Sequence, residues 1–325
     1  MNRSERFVRI AKKFPSLSRL ILTLSIRGFL PAIHNHWMFR SLASDLFEGT
    51  GFPMRHGPHK LFIPRDLHSI YLGYFDMLGH EPLTSKVFLS LLKSGSVVVD
   101  VGANIGTYTL LASRAVGPKG RVHAVECSPD TLALLANNVA RNNLSNVDIH
   151  PVAATSEAGT LALNVTAIGL SWFKPGPQWP TVQGSGTTIN VPAVPLDDII
   201  HSPVNLVKID AEGVDLEVLK GMKRILSESP DAAVIVEWAP PLLAEVGKDP
   251  LELPRWLQEA GFASISVLDE YYKKRRSLEE TIELVRSKKL PHDWFCDLFA
   301  RRMPQSAYGR RRPLVRRVLS PLISN

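Results

Sequence analysis

The sequence predicts an α/β fold, a mostly parallel sheet with helices on both faces, and three observations predict it. The run Val97-Val98-Val99-Asp100-Val101 is β-branched with one interruption, the composition of a strand buried on both faces, and a glycine turn follows at once. From there strand-like and helix-like stretches alternate as far as residue 152, the pattern of parallel strands joined by right-handed crossovers. A second strand that closes on an acid, Leu206-Val207-Lys208-Ile209-Asp210, opens a further round of the same alternation.

Taken in order, residues 1–60 are expected to form a basic N-terminal helical cap or arm, with Gly51, Pro53, Gly57 and Pro58 marking the loop before the body. A short strand is expected at 61–63, and two helical segments over 68–92, parted near Gly79 to Pro82. The first round of the body comprises a strand at 97–101, a helix at 106–116, a strand at 121–126, a helix at 130–142 and a strand at 147–152. A strand follows at 158–166, after which glycine and proline break all periodicity, so 167–195 is expected to be an insert loop of the substrate or lid type. Its Trp172 and Trp179 either stack on a sugar face or pin the loop to the core. Leu216, Leu219 and Met222 carry the helix after Asp210, and a strand at 232–236 ends on Glu237. A helix at 251–261, a strand at 264–268 and a closing strand at 294–300 complete a body spanning 61–300. An arginine-rich tail, 301–325, lies beyond it.

In such a sheet ligands bind at the carboxyl ends of the strands, where helix N-termini and glycine allow close approach to the backbone. The spacing Gly102-x-x-x-Gly106 is neither the dinucleotide pattern nor a phosphate loop, which disfavours a nicotinamide oxidoreductase. Glu126 ends the next strand, where a carboxylate can accept both hydroxyls of a ribose. Together Asp100 and Glu126 suit a cofactor that has a ribose and a positively charged end.

Residues 98–109, Val-Val-Asp-Val-Gly-Ala-Asn-Ile-Gly-Thr-Tyr-Thr, resemble the first motif of class I S-adenosylmethionine-dependent methyltransferases in the form used by the FkbM family. Gly79-His80-Glu81-Pro82 resembles that family's approach to the first strand, with His80 in place of the usual aromatic. Asn137-Asn138-Val139 and Asn142-Asn143-Leu144 resemble its asparagine-rich helix end, and Val152-Ala153-Ala154 its adenine-lining segment. Lys208-Ile209-Asp210-Ala211-Glu212-Gly213 resembles its lysine-isoleucine-aspartate-x-glutamate-glycine motif. Cys127, where the family usually has proline, and Asp215, where it commonly has glutamate, are departures. The resemblance spans about 75–300 and implies a Rossmann-like class I methyltransferase fold with a seven-stranded sheet. It further implies S-adenosyl-L-methionine as cofactor, held by Asp100, Gly102, Ala103, Asn104 and Gly106 in the first turn. Thr107, Tyr108, Glu126 and Ala153 complete that expected set.

Methyl transfer is an in-line displacement, so alignment supplies much of the rate, and a hydroxyl acceptor benefits from a general base. Asp210 is the expected base or hydroxyl-orienting acid, with Glu212 and Glu237 holding the acceptor or tuning that carboxylate. Helix capping also accounts for acids at 210 and 212, and the same cluster has the oxygen ligands that would suit a divalent cation. The resemblance implies a hydroxyl acceptor on a sugar, glycolipid or secondary metabolite. Two alternatives stand beside it: a non-catalytic S-adenosylmethionine-binding scaffold, and an RNA methyltransferase using the arginine tail.

The net charge of +7 is unevenly placed, because residues 1–40 and 301–325 carry fifteen of the 38 basic residues and one of the 31 acids. Basic residues alternate with apolar ones from Phe7 to Ile33, as in an interfacial helix, so contact with an anionic membrane surface is expected through both ends. The apolar run 20–26 is too short to span a bilayer. Nucleic acid is disfavoured as a partner, since no RNA-binding module is recognisable. Two cysteines, Cys127 and Cys296, make a disulfide framework improbable and point to the cytoplasm, with a possible peripheral seat at the inner membrane face. The pairs His34/His36 and His56/His59 lack further ligands, and no resident metal is expected from them.

Overall fold

The structure, a computed structural model, describes residues 13–14, 16, 52–53, 60–62, 81–165, 171–173 and 187–302. Apart from those isolated positions, the expected N-terminal cap lies outside the described residues, as do its four histidines, the helical segment at 68–79, Trp179 and the tail from 303.

A two-residue ladder joins β1 (Phe52–Pro53) to β2 (Lys60–Leu61), and α1 (Pro82–Leu91) precedes the body. The first round then runs β3 (Val97–Val101), α2 (Thr107–Val116), β4 (Arg121–Val125), α3 (Pro129–Arg141) and β5 (Val147–His150). A second round runs β10 (Leu206–Ile209), α4 (Asp215–Lys220), α5 (Lys223–Glu228) and β11 (Ala233–Trp238). Beyond it come α6 (Pro240–Glu245), α7 (Glu252–Glu259), β12 (Ser264–Asp269), β13 (Lys274–Ser277), α8 (Leu278–Arg286) and β14 (Cys296–Arg301). These strands form one sheet in the order β13-β12-β14-β11-β10-β3-β4-β5. The five from β11 to β5 are parallel, and β14 runs antiparallel to both β11 and β12.

Alternate residues of the central strands feed two cores. Val98, Leu206 and Ile235 pack on the α1 and α2 side, whereas Val99, Val207, Ile209 and Val236 pack under the helices of the second round. Each fully buried aliphatic side chain contributes about 1.5–3 kcal/mol. Toward the carboxyl ends the first of these faces turns polar, where Asp100 and Lys208 pair side by side and Glu237 opposes Asp297. The sheet's own register therefore collects the charged groups in one place.

Four expectations need correction. The sheet has eight strands, because Lys274-Arg275-Arg276-Ser277 adds an antiparallel edge to β12 with no apolar alternation to announce it. The strand expected at 147–152 stops at His150, and Ala153–Ala154 (β6) leaves the main sheet to pair with β9 (Thr187–Val194). The insert at 167–195 is not wholly loop: β7 (Gly159–Val165) pairs with β8 (Ser171–Phe173) and with β9 (Thr187–Val194), giving a second sheet in the order β6-β9-β7-β8. Val191 and Ala193 point into its small core and Pro192 points out, a two-residue period partly hidden by the proline. Finally, the helix expected through Met222 breaks after Lys220 at Gly221, where a Cβ would lie 2.0 Å from the carbonyl oxygen of Thr155.

The asparagine-rich helix end has a structural task. Asn138, fully buried, accepts from Phe62 N (2.6 Å) and donates to the carbonyls of Phe62 (3.2 Å) and Ile105 (2.8 Å). Asn142 pairs in the same way with Lys60, at 3.1 and 2.9 Å. Two side-chain amides thus substitute for a strand ladder and tie residues 60–62 to α3.

Candidate active site

The turn after β3 is built on Gly102, at φ +72°, where a Cβ would stand 1.8 Å from the carbonyl oxygen of Asp210. Only glycine permits that backbone contact, so the turns that follow β3 and β10 are locked together. Gly106, at φ +95°, caps α2, and a Cβ there would meet Leu135 Cδ1 at 2.8 Å and Leu110 Cδ1 at 3.0 Å. Its lack of a side chain serves helix packing, and it does not line the cavity.

The other expected cofactor residues do line one cavity: Asp100, Gly102, Ala103, Asn104, Thr107, Tyr108, Glu126 and Ala153. Val152, Ala154, Leu163 and Cys127 supply its apolar wall. Glu126 accepts Asn104 N on one oxygen and Ser128 N on the other, each at 2.8 Å, which leaves lone pairs on both for a diol. Burial pushes its carboxyl up, against the pull of those N–H donors. Asp100, 2% exposed, accepts Thr109 Oγ1 at 2.5 Å. Burial raises it to about 6, with Thr109 and Lys208 opposing. Asn104 Oδ1 is buried with no hydrogen-bond partner, an acceptor left open at the cavity turn. A carboxylate with lone pairs free for a diol, a buried acid that could face a cationic centre, small residues beside room for a flat base and an open amide oxygen together fit S-adenosylmethionine.

A second cavity of about 420 Å3 adjoins the first, and the two share Glu81, Asp210 and Glu212 in their walls. Ile209 pairs with Val236, so Asp210 and Glu237 emerge side by side from neighbouring strands, as expected. All three acids assigned to catalysis border this second cavity.

Sequence reasoning missed what stands beneath them. Lys208 is buried, its Nζ 3.5 Å from Asp210 Oδ2 and 3.5 Å from Asp297 Oδ1, over the Tyr108 ring at 5.3 Å. Burial alone would lower its pKa, but Asp297, Asp210, Glu81 and Glu237 outweigh that and hold it well above the ordinary value. Thr84 Oγ1 donates to Asp297 Oδ2 at 2.6 Å, and the Tyr108 hydroxyl donates to Glu81 Oε2 at 2.5 Å. Burial raises Glu81 to about 7, with Lys208 opposing and Asp297 and Asp210 reinforcing. Tyr108 therefore borders the cofactor cavity while its hydroxyl serves this network. One signal was available: a lysine inside an otherwise apolar strand buried on both faces needs a counter-charge.

Glu212, at φ +48°, is exposed at the residue level yet set among acids, and burial with Asp210 and Asp215 raises it to about 8. Glu237 is raised well above the carboxylate range by burial and then by Asp210, Glu212 and Asp215. Asp215 accepts Ala211 N (2.8 Å) and Gly213 N (3.2 Å), closing the turn that presents Glu212. Among the described residues, no three His, Cys, Asp or Glu side chains are grouped to hold a metal ion. Cys127 and Cys296 are free thiols.

This strand order, with acids ending β3 and β4 around one cavity, defines a class I methyltransferase whose cofactor is S-adenosylmethionine. The chain belongs to the FkbM methyltransferases: residues 100–264 match the methyltransferase FkbM domain. It is similar to the hexuronic acid methyltransferase AglP of Haloferax volcanii, 29% identical over 189 residues that make up 57% of this chain and 70% of that protein. Methyltransferase sdnD of Sordaria araneosa is 28% identical over 179 residues, 46% of this chain and 69% of that one. Among solved structures, the methyltransferase FkbM from Methylobacillus flagellatus KT aligns with a TM-score of 0.40 at 16% identity, over 74% of this chain and 56% of that chain. No helix among the described residues is long and apolar enough to cross a membrane.

Proposed function

We propose that the chain O-methylates a hydroxyl on a sugar, glycolipid or secondary-metabolite acceptor. The observation that carries this reading is the place of Asp210, in the wall shared by the two cavities and braced from below by Lys208. Glu126 would hold the ribose hydroxyls, Asp100 and Asn104 the polar end, and Ala153 with its apolar neighbours the base. When bound, S-adenosylmethionine supplies a methyl group on a cationic sulfur, which keeps the electron pair of the broken S–C bond. An acceptor hydroxyl at Asp210 gives its proton to the carboxylate while its oxygen lone pair forms the new O–C bond. Glu212 and Glu237 hold the rest of the acceptor. A sugar acceptor is supported by the resemblance to a hexuronic acid methyltransferase.

Calorimetric titration with S-adenosylhomocysteine, on the native protein and on Asp210→Asn, tests the reading together with a methylation screen over sugars. Binding retained by Asp210→Asn with methylation lost is the expected result, and no binding by the native protein overturns it. The basic ends support a seat at the inner membrane face through 1–40 and 301–325. Salt-sensitive sedimentation with phosphatidylglycerol vesicles, abolished when both ends are removed, is the matching expectation.

A further inference from the structure

Lys208 is the one cation among the described residues that line the cofactor cavity, and it is 1% exposed. A lysine ammonium carries three N–H donors. Its hydrogen-bond and ion-pair partners among the described residues are two, Asp210 Oδ2 and Asp297 Oδ1, each at 3.5 Å. A charge-assisted bond closes at about 2.7–2.9 Å. Other ion pairs of this chain reach that distance, Arg276 with Asp269 at 2.7 Å and Lys220 with Glu217 at 2.8 Å. Asp297 is held in place by Thr84 Oγ1, which donates to its other oxygen at 2.6 Å, and Asp210 is tethered through its backbone N–H to the Val101 carbonyl at 3.1 Å. The Tyr108 ring, 5.3 Å from Nζ, covers a further side with a π face that offers no acceptor atom.

A buried ammonium with long contacts only is costly as it stands, and the cavity it borders is the route by which an anion reaches it. The cofactor brings one anion, the α-carboxylate of its amino-acid end, beside one α-ammonium. Asp100, opposite Lys208 in the strand register, and Glu81, close enough to act on its charge, both line the same cavity and suit that ammonium. The zwitterion adds no net charge, so an added bond to Lys208 does not deepen the excess of acids around it. We propose that Lys208 binds the α-carboxylate of S-adenosylmethionine. The proposal rests on the cofactor and is independent of which acceptor is methylated. One ammonium then holds both the donor's tail and Asp210, so the donor and the acid proposed to meet the acceptor are registered against a common point.

The test titrates the full chain calorimetrically with S-adenosylhomocysteine, with its decarboxylated analogue, and with methylthioadenosine, which lacks the whole amino-acid end. The native protein is expected to bind S-adenosylhomocysteine roughly tenfold to a hundredfold more tightly than the decarboxylated analogue. Lys208→Met is expected to bind those two alike while its affinity for methylthioadenosine matches the native protein's, which also shows that the variant is folded. A purely structural lysine would weaken all three ligands together and leave the preference for the carboxylate intact. A crystal structure of the native protein with S-adenosylhomocysteine decides the matter should Lys208→Met fail to fold, with a carboxylate oxygen expected within about 3.2 Å of Lys208 Nζ. Equal affinities in the native protein, a preference that survives Lys208→Met, or a carboxylate seated more than about 4 Å from Nζ overturns the proposal. Failure of the native protein to bind any of the three ligands overturns the S-adenosylmethionine reading beneath it, so the two failures are distinguishable.

Discussion

The acids of the cofactor cavity and those of the second cavity stand in adjoining walls, yet the fold treats them differently. Glu126 has an N–H on each oxygen, and Asp100 has the Thr109 hydroxyl. These groups are oriented before any ligand arrives. Across Asp210, Glu212 and Glu237 have no such donors, and burial with the neighbouring acids raises both carboxyls. A fixed ligand rewards preorganisation, whereas a site that discriminates among acceptors gains from groups whose satisfaction depends on the guest. Lys208 stands between the two halves and belongs to both, through Asp210 and through its field on Asp100.

The largest break should come at the seam. Gly102→Ala places a Cβ against the Asp210 carbonyl at a positive φ, and a loss of about 3 kcal/mol or more is expected, together with loss of S-adenosylhomocysteine binding. Lys208→Met removes the one cation that, among the described residues, faces Asp297, Asp210 and Glu81. A destabilisation of about 3–5 kcal/mol is expected, measured as a lower urea midpoint at unchanged slope. Asp210→Asn should sharpen the comparison without breaking it, since methylation falls about 10²–10⁴-fold while cofactor affinity holds.

The smallest effect is on pH dependence. Glu81 at about 7, Asp100 and Asp215 at about 6 and Glu212 at about 8 all bind protons more tightly folded than unfolded. Their stabilising contribution is complete near pH 4 and is lost as pH rises through those values. His123, lowered to about 4 by burial and then by His150, works the other way between about 4 and 6.5. The Tm of the ligand-free protein should therefore fall as pH rises from about 4.5 to 8, most steeply near pH 5 to 6 where all four acids hold a proton only in the folded state and His123 offsets about one of them, and a Tm that rises over that range would contradict the acid assignments.

Legibility in the sequence followed locality. The β-branched run at 97–101, the acid that ends each strand and the glycine turn all act through near neighbours, and the structure keeps their places. Lys208 is part of a legible motif, but its role is not legible there because its main counter-charge, Asp297, arrives on β14, far along the chain. Gly221 and β9 escaped notice for the same reason: one depends on Thr155, and the other on pairing with β6 and β7. Gly106 shows the converse, where a motif position reads as a ligand contact but is required by Leu135 and Leu110.

The backbone contact between Gly102 and Asp210 also bears on how such a protein can diversify. It joins the turn after β3 and the acid proposed to meet the acceptor, while Leu242 and Leu243 of α6, and Phe295, stand on separate elements around the second cavity. Changes of guest can accumulate around that cavity one substitution at a time, with the distance from methyl donor to Asp210 unaltered. Inheritance of the reaction and exploration of substrates are thereby written into different parts of the same chain.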